Sequence, residues 1–267
     1  MEPLELLHEP AGLPAFDLPD ELASLYPGTL GFPEQCVYAN FVATIDGVVA
    51  LPALRQSNKL IADASQADRF VMGLLRACAD VVLVGSGTLR GSPNASWSPE
   101  GPFPDAADAL RELRRRLGLS ERPAVAILTT GRSLPVGHPI LERAPVVLTT
   151  EAGAERLGPT LPGAEVVAVA GGDLVDARAA IEALRARGYG RILSEGGPNL
   201  FGSLLEAELV DELFLTVSPL FAGRSAVAGG VFSLVEGVEL LPDRRVAVTP
   251  RGIRRHRAHT FFRYALR

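Results

Sequence analysis

The chain has 267 residues, 47% of them hydrophobic and 21% charged, with a formal net charge of −5 at pH 7. This composition is typical of a folded globular protein, and the negative charge argues against nucleic acid as an electrostatic partner. The apolar runs are far too short to cross a bilayer, and the acidic, proline-broken N-terminus is unlike a secretory signal. We therefore expect a cytoplasmic protein that binds neither membrane nor nucleic acid.

The N-terminal region differs from the rest of the chain in composition. Residues 1–33 are rich in proline and show little periodicity apart from a short helical pattern at 20–26. We predict that they form an arm lying over a single main domain, residues 34–267. The two cysteines, Cys36 and Cys78, lie in apolar segments and are predicted to be reduced core residues.

The first strong strand pattern covers residues 36–44 and contains Asn40 and Thr44. Asp46 and Gly47 then form a turn signal, and the short apolar run after them predicts a hairpin.

A polar loop follows this hairpin and precedes a helix. It contains Ser57 and Lys59, and Lys59 is conspicuous as the only lysine among the 26 basic residues. Ser65 occupies the position of a helix N-cap, and the apolar spacing beyond it predicts a helix that ends at Ala77. Arg76 lies in the last turn of that helix, where a cation also stabilises the helix dipole.

A near-continuous apolar run at 79–84 predicts a strand that is buried on both faces. It leads into a glycine turn, Gly85-Ser86-Gly87-Thr88. The backbone N–H groups of this turn, with the Thr88 hydroxyl beside them, are suited to contact a ligand. Arg90 stands where a dinucleotide-binding fingerprint needs its third glycine, so the Rossmann motif is not present.

Strand and helix patterns alternate through the middle of the chain, which is typical of βαβ units. We therefore predict an α/β fold in which a mixed, mostly parallel sheet carries helices on both faces, with an antiparallel hairpin at the C-terminus. The basic cluster at 251–257 is predicted to be an exposed strand end. The predicted strands of this half are 124–128, 146–148, 166–169, 191–194, 211–218, 244–249 and 254–266; the helices are 105–117 and 175–187, and the last turn is 250–252.

The stretch 188–213 carries the strongest functional signal. A short buried strand ends before Glu195, and Gly196, Gly197 and Pro198 lead into a helix. Such a turn leaves backbone N–H groups at the positive end of the helix dipole, which suits a phosphate, although a Gly-Gly turn also occurs where a helix only packs closely. Because Glu195 would repel a phosphate, we expect its carboxylate to face the N–H donors of a ligand ring.

Two enzyme classes are disfavoured. No Gly-x-Ser-x-Gly elbow of a triad hydrolase occurs, and no metal site is predicted because the histidines form no helical ligand pair. Two of the histidines, three residues apart on a predicted strand, are expected on opposite faces of the sheet. The four histidines are His8, His138, His256 and His259.

Five motifs, taken in order, resemble the pyrimidine reductase of riboflavin biosynthesis, which occurs alone or as the C-terminal half of a bifunctional deaminase–reductase. The resemblance covers about residues 35–265 and implies a dihydrofolate-reductase-like fold. The zinc signature of a deaminase half is absent from the sequence. The chain departs from many members at 91–97, where they carry an acidic residue and a proline-leucine run. The motifs are Asn40-x3-Thr44-x-Asp46-Gly47, Leu75-Arg76-Ala77, Val82-Leu83-Val84-Gly85-x-Gly87-Thr88, Glu195-Gly196-Gly197 and Leu209-Val210-Asp211-Glu212-Leu213.

The resemblance implies NADPH-dependent reduction of the ribose of 5-amino-6-(5-phosphoribosylamino)uracil to a ribityl chain. On the substrate side it implies that Arg76 grips the phosphate and that Glu195 accepts hydrogen bonds from the pyrimidine, with Asn40 and Ser57 nearby. Asp46 and Glu195 are the predicted catalytic residues, with Asp46 on the proton path. The implied cofactor-binding residues are Thr44, Lys59, Gly85, Gly87, Thr88, Thr130, Gly196, Gly197, Pro198, Asn199 and Leu200.

Three further points stay open at this level. Preference for NADPH would require a cation near the 2′-phosphate, for which Arg132 and Lys59 are candidates. A reductase of a dihydropterin or folate-like substrate, and a non-catalytic nucleotide-binding relative, are alternatives on the same fold. The resemblance also implies a homodimer through strand 211–218 and the terminal hairpin, whose apolar residues exceed what one sheet face would bury.

Overall fold

The computed structural model describes residues 1–223 and 230–266. Within this part of the chain, most strands belong to one large sheet, and a separate two-stranded sheet lies beside it. The strands are β1 Glu5–His8, β2 Cys36–Ala43, β3 Val48–Ala50, β4 Val81–Gly85, β5 Ala124–Leu128, β6 Val146–Thr149, β7 Glu165–Ala168, β8 Arg191–Ser194, β9 Glu212–Val217, β10 Phe232–Ser233, β11 Val248–His256 and β12 His259–Leu266.

Eight α-helices connect these strands in the described residues, with short 3₁₀ helices at Pro104–Ala106, Pro139–Arg143 and Gly158–Thr160. None of the helices there has the length and apolar character needed to span a bilayer. The α-helices are α1 Asp20–Leu25, α2 Ser57–Ile61, α3 Gln66–Ala77, α4 Ser86–Gly91, α5 Ala107–Arg116, α6 Glu151–Leu157, α7 Ala177–Arg185 and α8 Pro198–Glu206.

The large sheet has the strand order β1-β11-β12-β9-β2-β8-β4-β5-β6-β7. Its centre is parallel: β8 lies between β2 and β4 and runs parallel to both, whereas β12 is antiparallel to β9 and β11. Strand β8 comes late in the chain but lies between the early strands β2 and β4. Open α/β sheets bind their ligands at such a change of strand order, beyond the carboxyl ends of the strands. The predicted mixed sheet with a C-terminal antiparallel hairpin is confirmed.

The two faces of the sheet bury separate apolar layers. Helices α3 and α5 contribute to the first layer, with Tyr38, Leu193 and Phe214 beneath them. Helices α7 and α8 contribute to the second layer, on the opposite face. Ser65 caps α3 as predicted, since its hydroxyl accepts from the backbone N–H of Asp68. The predicted core positions of both cysteines are confirmed.

The C-terminal hairpin turns later than the sequence suggested. The predicted turn at 250–252 lies inside β11, where the register with β12 shifts between Pro250 and Gly252. The chain reverses after His256, and Arg257 takes the left-handed conformation with a φ of 55°. His256 and His259 are consequently direct cross-strand partners, so the expectation that they face opposite sides of the sheet was wrong. The proline-glycine signal marks a bulge, not a reversal.

Strand β3 also differs from the prediction. The turn after β2 forms as predicted, and the backbone N–H of Thr44 donates to the carbonyl of Val48. However, β3 makes its strand pairing with β10 and not with β2. The hairpin is therefore limited to its turn.

The N-terminal residues supply the edge strand of the large sheet. Strand β1 pairs with β11, and Leu4, Leu22 and Tyr26 belong to the same apolar layer as α3. The division into an arm, residues 1–33, lying over a single main domain stays a prediction. The pairing explains the basic cluster at 251–257, because three of its arginines each pair with a glutamate of the arm: Arg254 with Glu9, Arg255 with Glu5 and Arg257 with Glu2.

One of these ion pairs is buried, so the prediction of an exposed strand end was wrong for Arg254. Its side chain is 2% exposed and that of Glu9 is 11% exposed, with 2.6 Å between Nη2 and Oε1. The guanidinium also donates to the carbonyl of Pro27 and lies 4.0 Å above the ring of Tyr26. A buried cation of this kind fixes the arm to the sheet.

We expect Arg254→Ala to lower the free energy of unfolding by about 3 kcal/mol, because it leaves the Glu9 carboxylate buried without its partner. The matched control is Arg255→Ala, whose pair with Glu5 is half exposed and should contribute less than about 1 kcal/mol. Urea unfolding at pH 7 measures both. Equal losses for the two variants would contradict the role given to the buried pair.

Candidate active site

The chain leaves β8 through the glycine turn that the sequence singled out. Gly197 is the N-cap of α8, Pro198 occupies its first turn, and no side chain caps the helix. The first backbone N–H groups of α8 therefore have no partner within the helix and lie at the positive end of its dipole. Ser194 is fully buried, and its hydroxyl has no hydrogen-bond partner in the described structure. This end of β8 is suited to an anionic ligand.

The second glycine turn meets the first one. The segment after β4 is the short helix α4 and not an open loop. A side-chain carbon at Gly197 would stand 3.9 Å from the Thr88 hydroxyl, and one at Gly85 would meet no atom within 4 Å. Gly196 has a packing role, because a Cβ there would lie 2.3 Å from the Leu200 side chain. Gly197 thus lies near Thr88, and the space beside Gly85 is open.

Glu195 points to the opposite face, where it pairs with Arg76 of α3. The guanidinium donates from Nε to Oε1 at 2.8 Å and from Nη2 to Oε2 at 2.6 Å. Both side chains are 9% exposed. The third guanidinium nitrogen donates to the carbonyl of Ser98. These contacts use three of the five N–H donors of Arg76, and the predicted phosphate grip stays a prediction.

The turn after β2 is organised by Thr44 and Asp46. The Thr44 hydroxyl donates to the Asp46 carboxylate at 2.5 Å, and the same carboxylate accepts from the backbone N–H groups of Ala222 and Gly223. These hydrogen bonds, that of Thr44 foremost, lower the pKa of Asp46 to about 2. A general acid functions best with a pKa near the working pH. The surroundings of Asp46 therefore do not favour the proton-donor role predicted for it.

The other residues predicted for the site lie on β2, α2 and α8 and in the loop after β5. Asn40 is half-buried on β2. The Ser57 hydroxyl accepts from the backbone N–H of Leu51, which closes the loop before α2. Lys59 is exposed on α2. Thr130 follows β5, and its carbonyl accepts from Arg156. Asn199 is exposed in the first turn of α8.

Asp68 is the ionisable residue that sequence reasoning missed. It lies in the first turn of α3 and is 5% exposed. Burial, together with the nearby Glu195 carboxylate, raises the pKa of Asp68 to about 6. An aspartate at this position of a helix normally indicates only a favourable dipole contact, so the sequence held no signal of its burial.

Comparison with known proteins identifies the family. A model of the RibD C-terminal domain matches residues 35–243. The chain belongs to this family. It is 30% identical over 191 residues to the 2,5-diamino-6-ribosylamino-4(3H)-pyrimidinone 5′-phosphate reductase of Archaeoglobus fulgidus, covering 70% of this chain and 81% of the relative. The reductase of the same name from Methanothermobacter thermautotrophicus is 32% identical over 123 residues, or 43% of this chain and 56% of that one.

Solved structures of the RibD family share the fold. A pyrimidine reductase-like protein from Corynebacterium diphtheriae superimposes with a TM-score of 0.67 at 20% identity, over 87% of this chain and 92% of that one. RibD of Acinetobacter baumannii gives a TM-score of 0.64 at 15% identity, over 87% of this chain and 58% of that one. The predicted resemblance to the riboflavin-biosynthesis reductases is confirmed.

The raised pKa of Asp68 predicts a pH dependence of stability. Below about pH 4 the Asp68 carboxyl is protonated in both the folded and the unfolded chain. Between about pH 4 and 6 it stays protonated only in the folded chain, so the free energy of unfolding falls as the pH rises. Asp68→Asn removes this cost. We expect the unfolding free energy of the variant, relative to wild type, to rise across that window by up to about 3 kcal/mol.

Urea unfolding at pH 4 and pH 7 measures this difference. Asp108→Asn is the control, because Asp108 also lies in a first helical turn but has a 94% exposed side chain. A constant offset between Asp68→Asn and wild type at the two pH values would show that the buried carboxyl does not titrate as described.

Proposed function

We propose that this chain is an NADPH-dependent reductase that converts the ribose of a phosphorylated ribosylaminopyrimidine to a ribityl chain in riboflavin biosynthesis. The observation that carries the proposal is the division of the site at the end of β8. Glu195 faces α3, where charged and polar side chains gather, while Gly197 opens the uncapped helix α8 beside Thr88. One face is thus suited to a polar ring and the other to a pyrophosphate.

The residues on the α8 side fit a nicotinamide dinucleotide. The N–H groups of Asn199 and Leu200, in the first turn of α8, would hold the pyrophosphate, and the absence of a side chain at Gly197 lets the ligand approach. The orphaned hydroxyl of Ser194 fits a polar ligand at the same strand end. When bound, the cofactor supplies a hydride.

A cluster of arginines supports NADPH over NADH. Arg132 has a 68% exposed side chain and only a 3.8 Å contact with Asp173. Arg90 donates to Ser133 and Arg156 to the carbonyl of Thr130, so three guanidinium groups surround the loop after β5. Guanidinium is well suited to a phosphate. Of the two cations predicted from the sequence, Arg132 is therefore the better placed, because Lys59 lies on α2.

The site must orient the sugar and provide one proton for the oxygen released on reduction. The Arg76–Glu195 pair presents a buried polar surface on the substrate side, and Glu195 can still accept through its remaining lone pairs. Asp46 is ionised at neutral pH, so water is the better proton source for the oxygen released on reduction. These assignments follow from the contacts of each group.

A direct assay tests the proposal. Purified protein should oxidise NADPH when given a phosphorylated ribosylaminopyrimidine and not when given a dihydropterin. NADPH alone should raise the melting temperature, because it binds only the folded state.

In Glu195→Gln the substrate KM should rise by about tenfold, for about 1.4 kcal/mol of lost interaction, with the NADPH-induced shift unchanged. Turnover of the dihydropterin would favour the pterin reductase, and binding of NADPH without turnover would favour a non-catalytic relative.

We also propose a homodimer formed through β9 and the terminal hairpin. Leu215 and Phe262 are cross-strand partners that remain half-buried, and the rings of Phe262 and Tyr264 stack at 5.6 Å on the same face. A second copy would cover this apolar row. Light scattering at micromolar concentration should give twice the chain mass, and a monomer would contradict the proposal.

A further inference from the structure

A cleft of about 260 Å³ opens at the amino ends of β5 and β6. Its lining includes Ala124 and Val146, the first residues of these two strands. The surfaces proposed for cofactor and substrate lie at the carboxyl ends of the parallel strands, so the cleft is at the other end of the sheet. It is slightly smaller than most small-molecule sites, which have volumes of about 300–1,000 Å³. The proposed reaction gives this cleft no role.

The charged residues that line the cleft are both cations. Arg122 and Arg143 contribute their guanidinium groups, and no aspartate or glutamate is among the described residues that line it. The ion pair that the described residues form with this pair of arginines joins Arg122 to Glu100 at 3.4 Å, between side chains that are 49% and 24% exposed. In a chain with a net charge of −5, two cations gathered in a concave surface without an acid favour an anion.

The sheet register carries these two arginines to the same place. Strands β5 and β6 are parallel, and Ala126 pairs with Val146. Arg122 and Arg143 each lie a few residues before these paired positions, so both enter the cleft from neighbouring strands. A guanidinium group can donate two parallel hydrogen bonds to a phosphate. Two such groups in one cleft suit the dianion of a phosphate better than a singly charged carboxylate.

The loop around Trp97, where the chain departs from many members of the family, forms another wall of the cleft. This wall is fixed from two sides: the carbonyl of Ser96 accepts from Arg143 at 3.3 Å, and the carbonyl of Ser98 accepts from Arg76 at 3.3 Å. Trp97 has a φ of 52°, which is rare for a bulky side chain. Backbone strain of this kind persists where its surroundings enforce it, and it is concentrated at ligand sites.

The rest of the lining is aromatic and aliphatic. Trp97 and the half-buried Tyr189 supply aromatic rings, and Val125 and Ile140 supply aliphatic side chains. Apolar walls with a few fixed polar groups are typical of sites for small organic ligands. A planar ring would thus lie against this part of the cleft while its charged group meets the arginines.

We propose that the cleft is a second binding site, separate from the reductase site, for a small aromatic molecule that carries a phosphate group. Arg122 and Arg143 donate to the phosphate, and the ring packs against the apolar wall beside Tyr189. The walls need little rearrangement, because the contacts of Ser96 and Ser98 already hold the loop in place, and such preorganisation favours binding.

The chain contains a built-in reporter of this site, since Trp97 is its only tryptophan. Titration of the full chain with phenyl phosphate should change the Trp97 emission in a saturable manner. Inorganic phosphate lacks the ring and benzoate lacks the second negative charge, so each should bind about tenfold more weakly or worse. Calorimetric titration with phenyl phosphate should give the same Kd with and without saturating NADPH, because the two sites lie at opposite ends of the sheet.

Variants of the two arginines test the contacts directly. Arg143→Ala and Arg122→Ala should each raise the Kd of phenyl phosphate by about tenfold or more, and Arg143→Lys, which keeps the charge without the planar fork, should lie between wild type and Arg143→Ala. The matched control is Arg185→Ala, which removes an exposed arginine from the last turn of α7, outside the cleft. It should keep the wild-type Kd.

Four results would overturn the inference: no saturable change in Trp97 emission, displacement of phenyl phosphate by NADPH, an unchanged Kd in both alanine variants of the cleft, or equal affinity for inorganic and phenyl phosphate. The measurements on wild type decide the matter even if a variant does not fold. Because binding is measured without turnover, a failure of the proposed reductase activity would leave this test intact.

Discussion

The insertion of β8 between β2 and β4 is the constraint on which the rest of the structure depends. Parallel pairing on both sides fixes the register of β8 and therefore the face to which each of its residues points. Because alternate side chains point to opposite faces, Ser194 turns towards α8 and Glu195 towards α3. A register shift of one residue would exchange them and bring a carboxylate to the uncapped N-terminus of α8.

This separation gives the two faces different electrostatics. On the α8 side the partial positive charge comes from uncapped backbone N–H groups. On the α3 side, formal charges are buried, and Arg76 neutralises Glu195, while no ion pair among residues 1–223 and 230–266 involves Asp68. Removing one member of a buried pair is costly, so Arg76 and Glu195 stabilise the wall of the site as well as facing it.

The N-terminal residues cover an open edge of the large sheet. Strand β1 covers the edge of β11, and the glutamates of the arm neutralise the arginines that the hairpin presents. An unpaired strand edge is prone to associate with other chains. On this side of the sheet the edge strand is then β1, which is short and carries charged flanking residues.

The sequence by itself determined the pattern of elements, the glycine turn into α8, the capped helix α3 and the family resemblance, because apolar periodicity and turn chemistry are local properties of the chain. It did not reveal that Arg76 and Glu195, 119 residues apart, form one bidentate pair, or that Asp68 is buried. It also misplaced the hairpin turn, since Pro250 and Gly252 are accommodated as a bulge. Burial, ion pairing and the pKa of a carboxyl depend on which distant strands become neighbours, and only the tertiary structure decides that.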